Sequence, residues 1–515
     1  MKQCNSQVPV NNLCVHNMPA IKSYFSKLPA VLLYLVLPLL FAGSEHIQAQ
    51  QITFNKTFGN SAYNQGVATF QLADSGYVVV GNSAGFAGTT APYLAWIDMQ
   101  GNLLSDRMIS RPFLLKVNGA EMHDSLLYLT GFAYNQGSYD FMLLKIDLAG
   151  NVLLEKYWGT QGWNFANDLV VDNSKQIYLA GESTDTVYGE MNGVVICLDS
   201  NGVLIWEKSF GGPGYDAFFA IDTGFGQTLV MAGTSAGVST PGDSAFYLAS
   251  TDLQGNILWE RVLNAPGTNV AYDIQPDIQG GYILCGETSS PSSVLGQEAL
   301  LFKTDTTGNL LWQTPFGMQS NDAFHAVLQL PDSTYRMAGY NAGEFSYGMN
   351  DFYFQNATKF GNWGGQAAGY ITIGGTKDDW AVHMIRTLDG GFLLTGTTNS
   401  FGYGLSNIFL LKLGDSAQFS PYGGHQTAMS EPDHHIMKRF EVYPNPAKDD
   451  LLITGRGTGN SPLHCYLVDI QGRVVKTFDP NLFTESSVKL QIGDLPEGIY
   501  FLKIGEEAFR IIKVR

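Results

Sequence analysis

The residues of this chain with the types and spacing for chemistry fall into four sets. Two GxSxG strings, Gly81-Asn-Ser83-Ala-Gly85 and Gly233-Thr-Ser235-Ala-Gly237, have the composition of a hydrolase nucleophile elbow. An elbow needs a strand, a sharp turn and then a helix. Both strings instead follow an apolar strand and run into loop sequence, so neither reads as a catalytic serine. A second set is the Asp that opens turns of the D-x-x-G-N type: Asp98, Asp147, Asp199, Asp252 and Asp305. Calcium needs six to eight converging oxygens, whereas each turn offers about one carboxylate, and Asp at such a place bonds its own turn. The third set is Asp168, Asp216, Asp273, Asp322 and Asp379, near the start of successive apolar stretches, with His325 and His383 further along. Converging on one channel mouth they would hold a cation; capping backbone groups locally is the competing expectation and the favoured one. The fourth set is aromatic. Tyr93, Tyr134, Tyr188, Tyr347 and Tyr403, with Phe86, Tyr139, Phe345 and Phe401, occur where Gly, Ser and Asn are dense, a mixture suited to carbohydrate or protein recognition. HExxH, a Walker A loop and full EF-hand spacing are all missing. The reading is of no catalytic residues, no metal site and no cofactor.

These sets are positioned by a repeat. An apolar strand ends in glycine seven times, at Gly81, Gly131, Gly181, Gly233, Gly286, Gly339 and Gly396, in steps of 50, 50, 52, 53, 53 and 57 residues. A second series of turn glycines, 101, 150, 202, 255, 308 and 361, keeps the same period. A period near 50 belongs to propeller arrays, where each repeat is a four-stranded blade that cannot bury its faces alone. In the repeat that begins at Asp216, the strands read DAFFAI, TLVMAG, AFYLAST and ILWERVL, the last two joined through Asp252 to Asn256 as a hairpin. The seventh repeat stops after IFLLKLG, while Ile52 to Gly59 (ITFNKTFG) stands alone near the other end; pairing them closes the ring. Seven blades follow. The loops between second and third strands lie on the same face as the inter-blade crossings and form the expected binding face.

Composition agrees with an all-β chain: 58 Gly, 25 Tyr and 31 Phe among 515 residues, and only 15% charged. A net charge of -17 supplies no counterion release with nucleic acid, which excludes that partner class. Five scattered cysteines (4, 14, 197, 285 and 465) give no disulfide framework. Lys22 and Lys27 precede the apolar run Leu28 to Phe41, and Ile47-Gln48-Ala49 offers a small-residue cleavage site before Gln50. Residues 1–49 therefore read as an export signal, with Met18 as an alternative start. The run is short of the roughly 20 residues that a span needs, so no transmembrane anchor is expected in the mature protein.

The expected organisation is a signal at 1–49, a propeller at 50–414, a linker at 415–437 and a small immunoglobulin-like β-sandwich at 438–515. The blade pattern of FGG, D-A, GYxxxG and D-xxLLK-D-xxGN-xxW resembles the bacterial β-propeller repeat family found in many exported proteins, which implies a fold and little about activity. The end of the chain carries VYPNPAKDDLLI, CYLVDIQGRVVKTF, LPEGIYFLKI and a final FRIIKVR. In order and place this set resembles the C-terminal sorting domain of type IX secretion cargo in the Bacteroidetes, with Pro444, Asn445, Pro446, Gly472, Gly498 and Tyr500 at the matching motif positions. The resemblance implies the type IX machinery as partner, crossing of the outer membrane, and removal of the tail with release or attachment to surface lipopolysaccharide. The sequence reading is thus of a secreted or cell-surface propeller serving as a non-catalytic binding or scaffold module. The alternatives are an extracellular polysaccharide-active enzyme and a purely structural surface or adhesion protein.

Overall fold

The computed structural model describes residues 52–84, 89–135, 137–159, 161–184, 190–236, 243–263, 266–289, 296–316, 321–342, 346, 349–362, 370–402, 404–414, 424–425, 433–436, 440–444, 446–455, 465–469, 473–479, 487–504 and 507–515. Among them there is no helix. Seven sheets each contain four successive antiparallel strands, and in six of them these strands pair in chain order. Blades 1 to 6 span 64–108, 114–158, 164–210, 216–263, 269–316 and 322–373. Blade 7 takes three strands from 379–413 and its fourth from Ile52–Gly59, which pairs antiparallel with Asn407–Leu413, Phe58 opposite Ile408. Two short strands lie outside the meanders. Gly424–His425 pairs in parallel with the last strand of blade 6, Tyr370–Ile373, and Asp433–Ile436 pairs in parallel with Ile52–Gly59.

Both glycine series have a steric cause. In every blade the first strand carries a bulge, and the residues flanking it are Gly66/Ala68, Val117/Gly119, Ala166/Asp168, Phe218/Ala220, Ala271/Asp273, Phe324/Ala326 and Ala381/His383. Opposite each bulge sits the repeated glycine, which lies inside the second strand and not at its end, since the strand runs on past it in every blade. A Cβ on Gly233 would lie 1.9 Å from the Ala217 carbonyl oxygen, and at the other six positions the nearest first-strand carbonyl oxygen is 1.9 to 2.5 Å away. No side chain fits there, because the bulged strand leans onto its neighbour. The turn glycines serve the joint between blades. Gly255 has φ +80° and its missing Cβ leaves room for Trp206 of the preceding blade; Gly308 does the same for Trp259 and Gly361 for Trp312. Trp206 also donates from Nε1 to the Leu253 carbonyl at 3.0 Å.

Apolar burial is concentrated between blades. Each of the seven joints has its own cluster, including Phe58, Val79 and Leu410 where blade 7 meets blade 1, Cys197, Phe218 and Met231 between blades 3 and 4, and Cys285, Phe324 and Tyr335 between blades 5 and 6. No blade can stand alone, as a repeat architecture requires.

The C-terminal unit has two sheets. One joins Phe440–Tyr443, Asp450–Gly455 and Ser487–Gln491; the other orders Val474–Phe478, Cys465–Asp469, Gly498–Ile504 and Glu507–Lys513. Leu451, Ile453, Leu467, Leu490, Leu502 and Ile511 fill the space between them. This is the small sandwich expected from the alternating pattern of its strands.

Candidate functional site

The first strands line the central bore, and the bulge makes their side chains reach from blade to blade. At the bulged residue, Asn118 Nδ2 donates to the Ala166 carbonyl at 3.0 Å, Asn167 Nδ2 to the Phe218 carbonyl at 3.0 Å, and His325 Nδ1 lies 3.1 Å from the Ala381 carbonyl oxygen. One residue on, the direction reverses. Asp168 accepts from the Ile221 N–H at 3.0 Å, Asp273 from the Val327 N–H at 2.8 Å, and His383 Nδ1 from the Thr69 N–H at 3.4 Å across the closing joint. Lower in the bore, Glu121 accepts from the Val171 N–H at 2.6 Å.

Burial raises the bore carboxyls well above their ordinary range: Glu121 to about 8, Asp168 and Asp273 to about 7, and Asp222 to about 6. The N–H bonds pull Glu121, Asp168 and Asp273 back, and mutual repulsion pushes all three up further. His325 and His383 are held down to about 4 by burial and stay neutral. These acids keep some exposed surface, as expected for the wall of a bore rather than a packed core.

The five acids grouped by sequence occupy two different places. Asp168 and Asp273 are in the bore. Asp216, Asp322 and Asp379 are fully buried at the first position of their strands, where blades 1, 3 and 5 have Asn64, Asn164 and Asn269. There Asp216 and Asp379 cap the inter-blade crossing, accepting from the Gly212 and Gly375 N–H groups, each at 2.8 Å, while Asp322 accepts from the Asn341 amide at 2.6 Å and the Ala342 N–H at 3.0 Å at the end of its own blade's second strand. The same clasp explains the GxSxG strings. Ser83 Oγ donates to Asn64 Oδ1 at 2.8 Å, and Ser235 is hydrogen-bonded to Asp216. Both serines are buried blade fasteners. The turn Asp residues cap their own turns, Asp98 accepting from Gln100 N–H, Asn102 N–H and the Asn102 amide at 2.8 to 2.9 Å. Among the described residues no group of three His, Cys, Asp or Glu has the geometry to hold a metal.

The loop face presents aromatic surface in blades 2 and 3. Tyr134 is 40% exposed and Trp163 56%. Tyr139 joins them, 4.6 Å from Tyr134 and 6.3 Å from Trp163 between ring centroids, with Phe165 and Phe132 behind. Asn164 Nδ2 fixes the strand by donating to the Tyr139 carbonyl at 2.8 Å. Tyr93 does not share this surface. It lies within the third strand of blade 1, covered on all sides, with its hydroxyl on Asp106 at 3.1 Å. Tyr188, Tyr347 and Tyr403 lie outside the described residues.

Beside the aromatics is a group that motif reading passed over. The residue after the repeated second-strand glycine reaches the next blade in three cases. Asn82, Thr234 and Thr397 there bond the neighbouring backbone, through Val117, Asn269 and Gly66. In blades 2 and 6 the position holds Phe132 and Tyr340, and in blades 3 and 5 it holds Glu182 and Glu287. Glu287 is buried, accepting from Tyr272 and Gln297 at 3.1 Å and from Tyr340 at 3.4 Å. Glu182 is bonded to Tyr215, and its Oε2 has no hydrogen-bond partner among the described residues. Burial raises both carboxyls. Comparison of one repeat with the next would have exposed this departure.

In the tail, Pro444 and Pro446 are exposed and deliver Ala447, fully buried, onto the last strand; the Ala447 N–H donates to the Ile512 carbonyl and the Val514 N–H to Ala447. Gly498 starts the strand whose Tyr500 is buried and donates to the Pro496 carbonyl at 2.9 Å. Asn445 and Gly472 lie outside the described residues. Residues 441–514 match the family model described as the secretion system C-terminal sorting domain. The chain is a type IX secretion cargo with a propeller. The tail of this cargo implies export out of the cell. No helix among the described residues is long and apolar enough to cross a membrane.

No curated protein matches the cargo. Solved structures similar to it include the β-propeller domain of the Trilobed protease from Pyrococcus furiosus, with TM-score 0.40 and 9% identity over 72% of this chain and 98% of that one. Sqt1 from Chaetomium thermophilum gives 0.38 and 11% over 71% and 98%, and puromycin hydrolase 0.46 and 10% over 76% and 59%. Likeness at this level says nothing about what the cargo binds or does.

Proposed function

We propose that this cargo is a recognition module that binds glycans on its loop face, and that it works at the outer surface of the cell or after release from it. A signal peptide at 1–49, cleaved between Ala49 and Gln50, would take it across the inner membrane. The tail would then direct outer-membrane passage in a Bacteroidetes-type envelope, where it would be removed. The observation that supports the recognition role is the exposed group of Trp163, Tyr134 and Tyr139. Planar rings present large contact area at little entropic cost and stack against the apolar faces of sugars. Exposed rings of this kind at adjacent loops mark an interaction site on a soluble protein.

A second reading has one observation in its favour. Glu182 and Glu287 are carboxyls on the same face with affinities for protons raised by burial, the property a glycosidase acid needs. Screening the full-length protein against glycans and polysaccharides, with product analysis on each hit, separates the two. Binding without turnover, weakened about tenfold or more by Trp163→Ala, supports recognition. Turnover replaces it with the enzyme reading, and binding unaffected by Trp163→Ala removes this face from the account.

A further inference from the structure

The fourth strand of a propeller blade is an edge strand, with a row of backbone groups that no strand of its own blade can pair. Equivalent positions of the seven blades show how this chain treats those edges. At the register of the repeated glycine, the fourth strands of blades 1 to 5 carry Met108, Tyr157, Ser209, Val262 and Pro315, and all five keep exposed surface. The equivalent residues of blades 6 and 7, Thr372 and Thr57, are 1% and 0% exposed. One residue earlier the contrast repeats. Arg107, Lys156, Lys208, Arg261 and Thr314 keep exposed surface, whereas Ile371 and Lys56 are buried.

The four buried residues are ones that pair with the two short strands between the propeller and the tail. Ile371 and Thr372 lie opposite Gly424 and His425, and Lys56 and Thr57 opposite Asp433 and His434. The other edges carry features that discourage such pairing. Blades 1 to 4 place an exposed or half-exposed Arg or Lys on the edge, and blade 5 places Pro315, which has no N–H to donate. Blade 6 has neither, its fourth strand reading Tyr370-Ile-Thr-Ile373. The two covered strands also share a weakness. In blades 1 to 5 one tight turn, closed by bonds such as Gly101 N–H to the Asp98 carbonyl, ties the fourth strand to the third. Tyr370–Ile373 begins well after the third strand ends at Ala357, and Ile52–Gly59 comes from the other end of the propeller sequence.

We propose that Gly424–His425 and Asp433–Ile436 are a strap that locks the closed ring. The closing strand is held on one edge by Asn407–Leu413; the strap holds the other, from Lys56 to Gly59. Ile52–Gly59 therefore cannot leave blade 7 until Asp433–Ile436 has peeled away. Its departure would open the ring, because pairing is all that ties it to its blade. The strap also covers two edges that would otherwise invite pairing with another chain. It is part of the propeller and not of the tail, since it precedes the first strand of the sandwich, Phe440–Tyr443.

The test is amide hydrogen exchange of the full-length protein, read by mass spectrometry in peptides covering Ile52–Gly59 and Ile257–Leu263, the unstrapped fourth strand of blade 4. In the parent the closing strand should exchange about tenfold more slowly or better, since both of its edges are paired. His434→Pro and His435→Pro then probe the strap itself. Only alternate N–H groups of a strand face its neighbour, so one of the two prolines should speed exchange in Ile52–Gly59 about tenfold while the other, on the solvent side, has little effect. Equal exchange of the two peptides in the parent overturns the lock, and that comparison needs no substitution to fold. Prolines that both leave Ile52–Gly59 unchanged overturn it as well. So does acceleration shared alike by Ile257–Leu263, which marks a general loss of structure and not release of the closing strand.

Discussion

Replacing Gly233 by Ala should damage this fold far more than a glycine-to-alanine change usually does. The added Cβ would stand 1.9 Å from the Ala217 oxygen and 2.8 Å from the Phe218 Cα, both backbone atoms of the bulged first strand. Real Cβ contacts do not fall below 3.0 Å, so the strands must separate by about 1 Å or the bulge must be lost. Neither movement is local. The same strand carries Phe218, stacked 5.2 Å from Tyr247 in the joint with blade 3, and Ile221, whose N–H holds Asp168. Overpacking on this scale costs about 2–4 kcal/mol. Gly212→Ala is the control, since nothing lies within 4 Å of its Cβ position and its φ is ordinary. Chemical denaturation of both variants, with near-ultraviolet circular dichroism to follow packing, reads the difference directly. A Gly233→Ala protein within about 0.5 kcal/mol of the Gly212→Ala control would refute the claim that the bulge dictates this glycine, and with it the explanation of the repeat.

Further outcomes follow from the bore, a buried ion pair and the tail. Asp168 binds its proton more tightly when folded than when unfolded, so its contribution is fully present below about pH 4 and is lost as pH rises through about 7. Asp168→Asn should therefore gain stability over the parent between pH 5.5 and 8.5, by about 2 kcal/mol after allowing for the exposed bore wall. Thermal unfolding of the pair across that range checks it, and taking the difference removes the opposite slope of His325 and His383. Asp277 is fully buried, with Lys303 Nζ at 2.7 Å and the Tyr335 hydroxyl at 2.5 Å. Burial would raise its pKa, but these donors and the Gln279 N–H bring it below the usual carboxylate value. Asp277→Asn leaves the Lys303 charge uncompensated and should cost about 3–5 kcal/mol by denaturant titration, a contribution that the parent itself loses as pH falls below about 4. Deleting residues 440–515 should leave the cargo inside the outer membrane, which fractionation with an antibody to the propeller would show.

What could be read from the sequence was whatever the backbone forces on residue type. Gly233 and Gly255 are legible because no other residue fits beside a bulge or under a tryptophan, and that requirement recurs in nearly every blade. The bulge itself leaves no mark of its own. It inserts one residue, so Asp216 at the strand's start and Asp273 beyond the bulge look alike in a string of letters while one caps a crossing and the other reaches into the bore. Tyr93 resembles a loop residue because Pro92 precedes it, yet strand pairing with Gly81 and Met108 holds it inside blade 1. Glu182 and Glu287 belong to no motif. They stand out only when equivalent positions of the seven repeats are set side by side.

The closing strand has a consequence in time. Ile52–Gly59 finds its partner in Asn407–Leu413, so the first strand of the propeller sequence must wait for nearly its last. Until then blade 7 lacks an edge and the joint of Phe58 with Val79 and Leu410 has no floor. Contacts of such long sequence separation form late and slowly. A chain that leaves the ribosome from its N-terminus therefore stays an open arc through most of its synthesis. The native ring can close only once residue 413 is free to meet residue 52, when little more than the sorting tail remains to follow. The architecture thus holds back its own completion until nearly all of the propeller sequence is available.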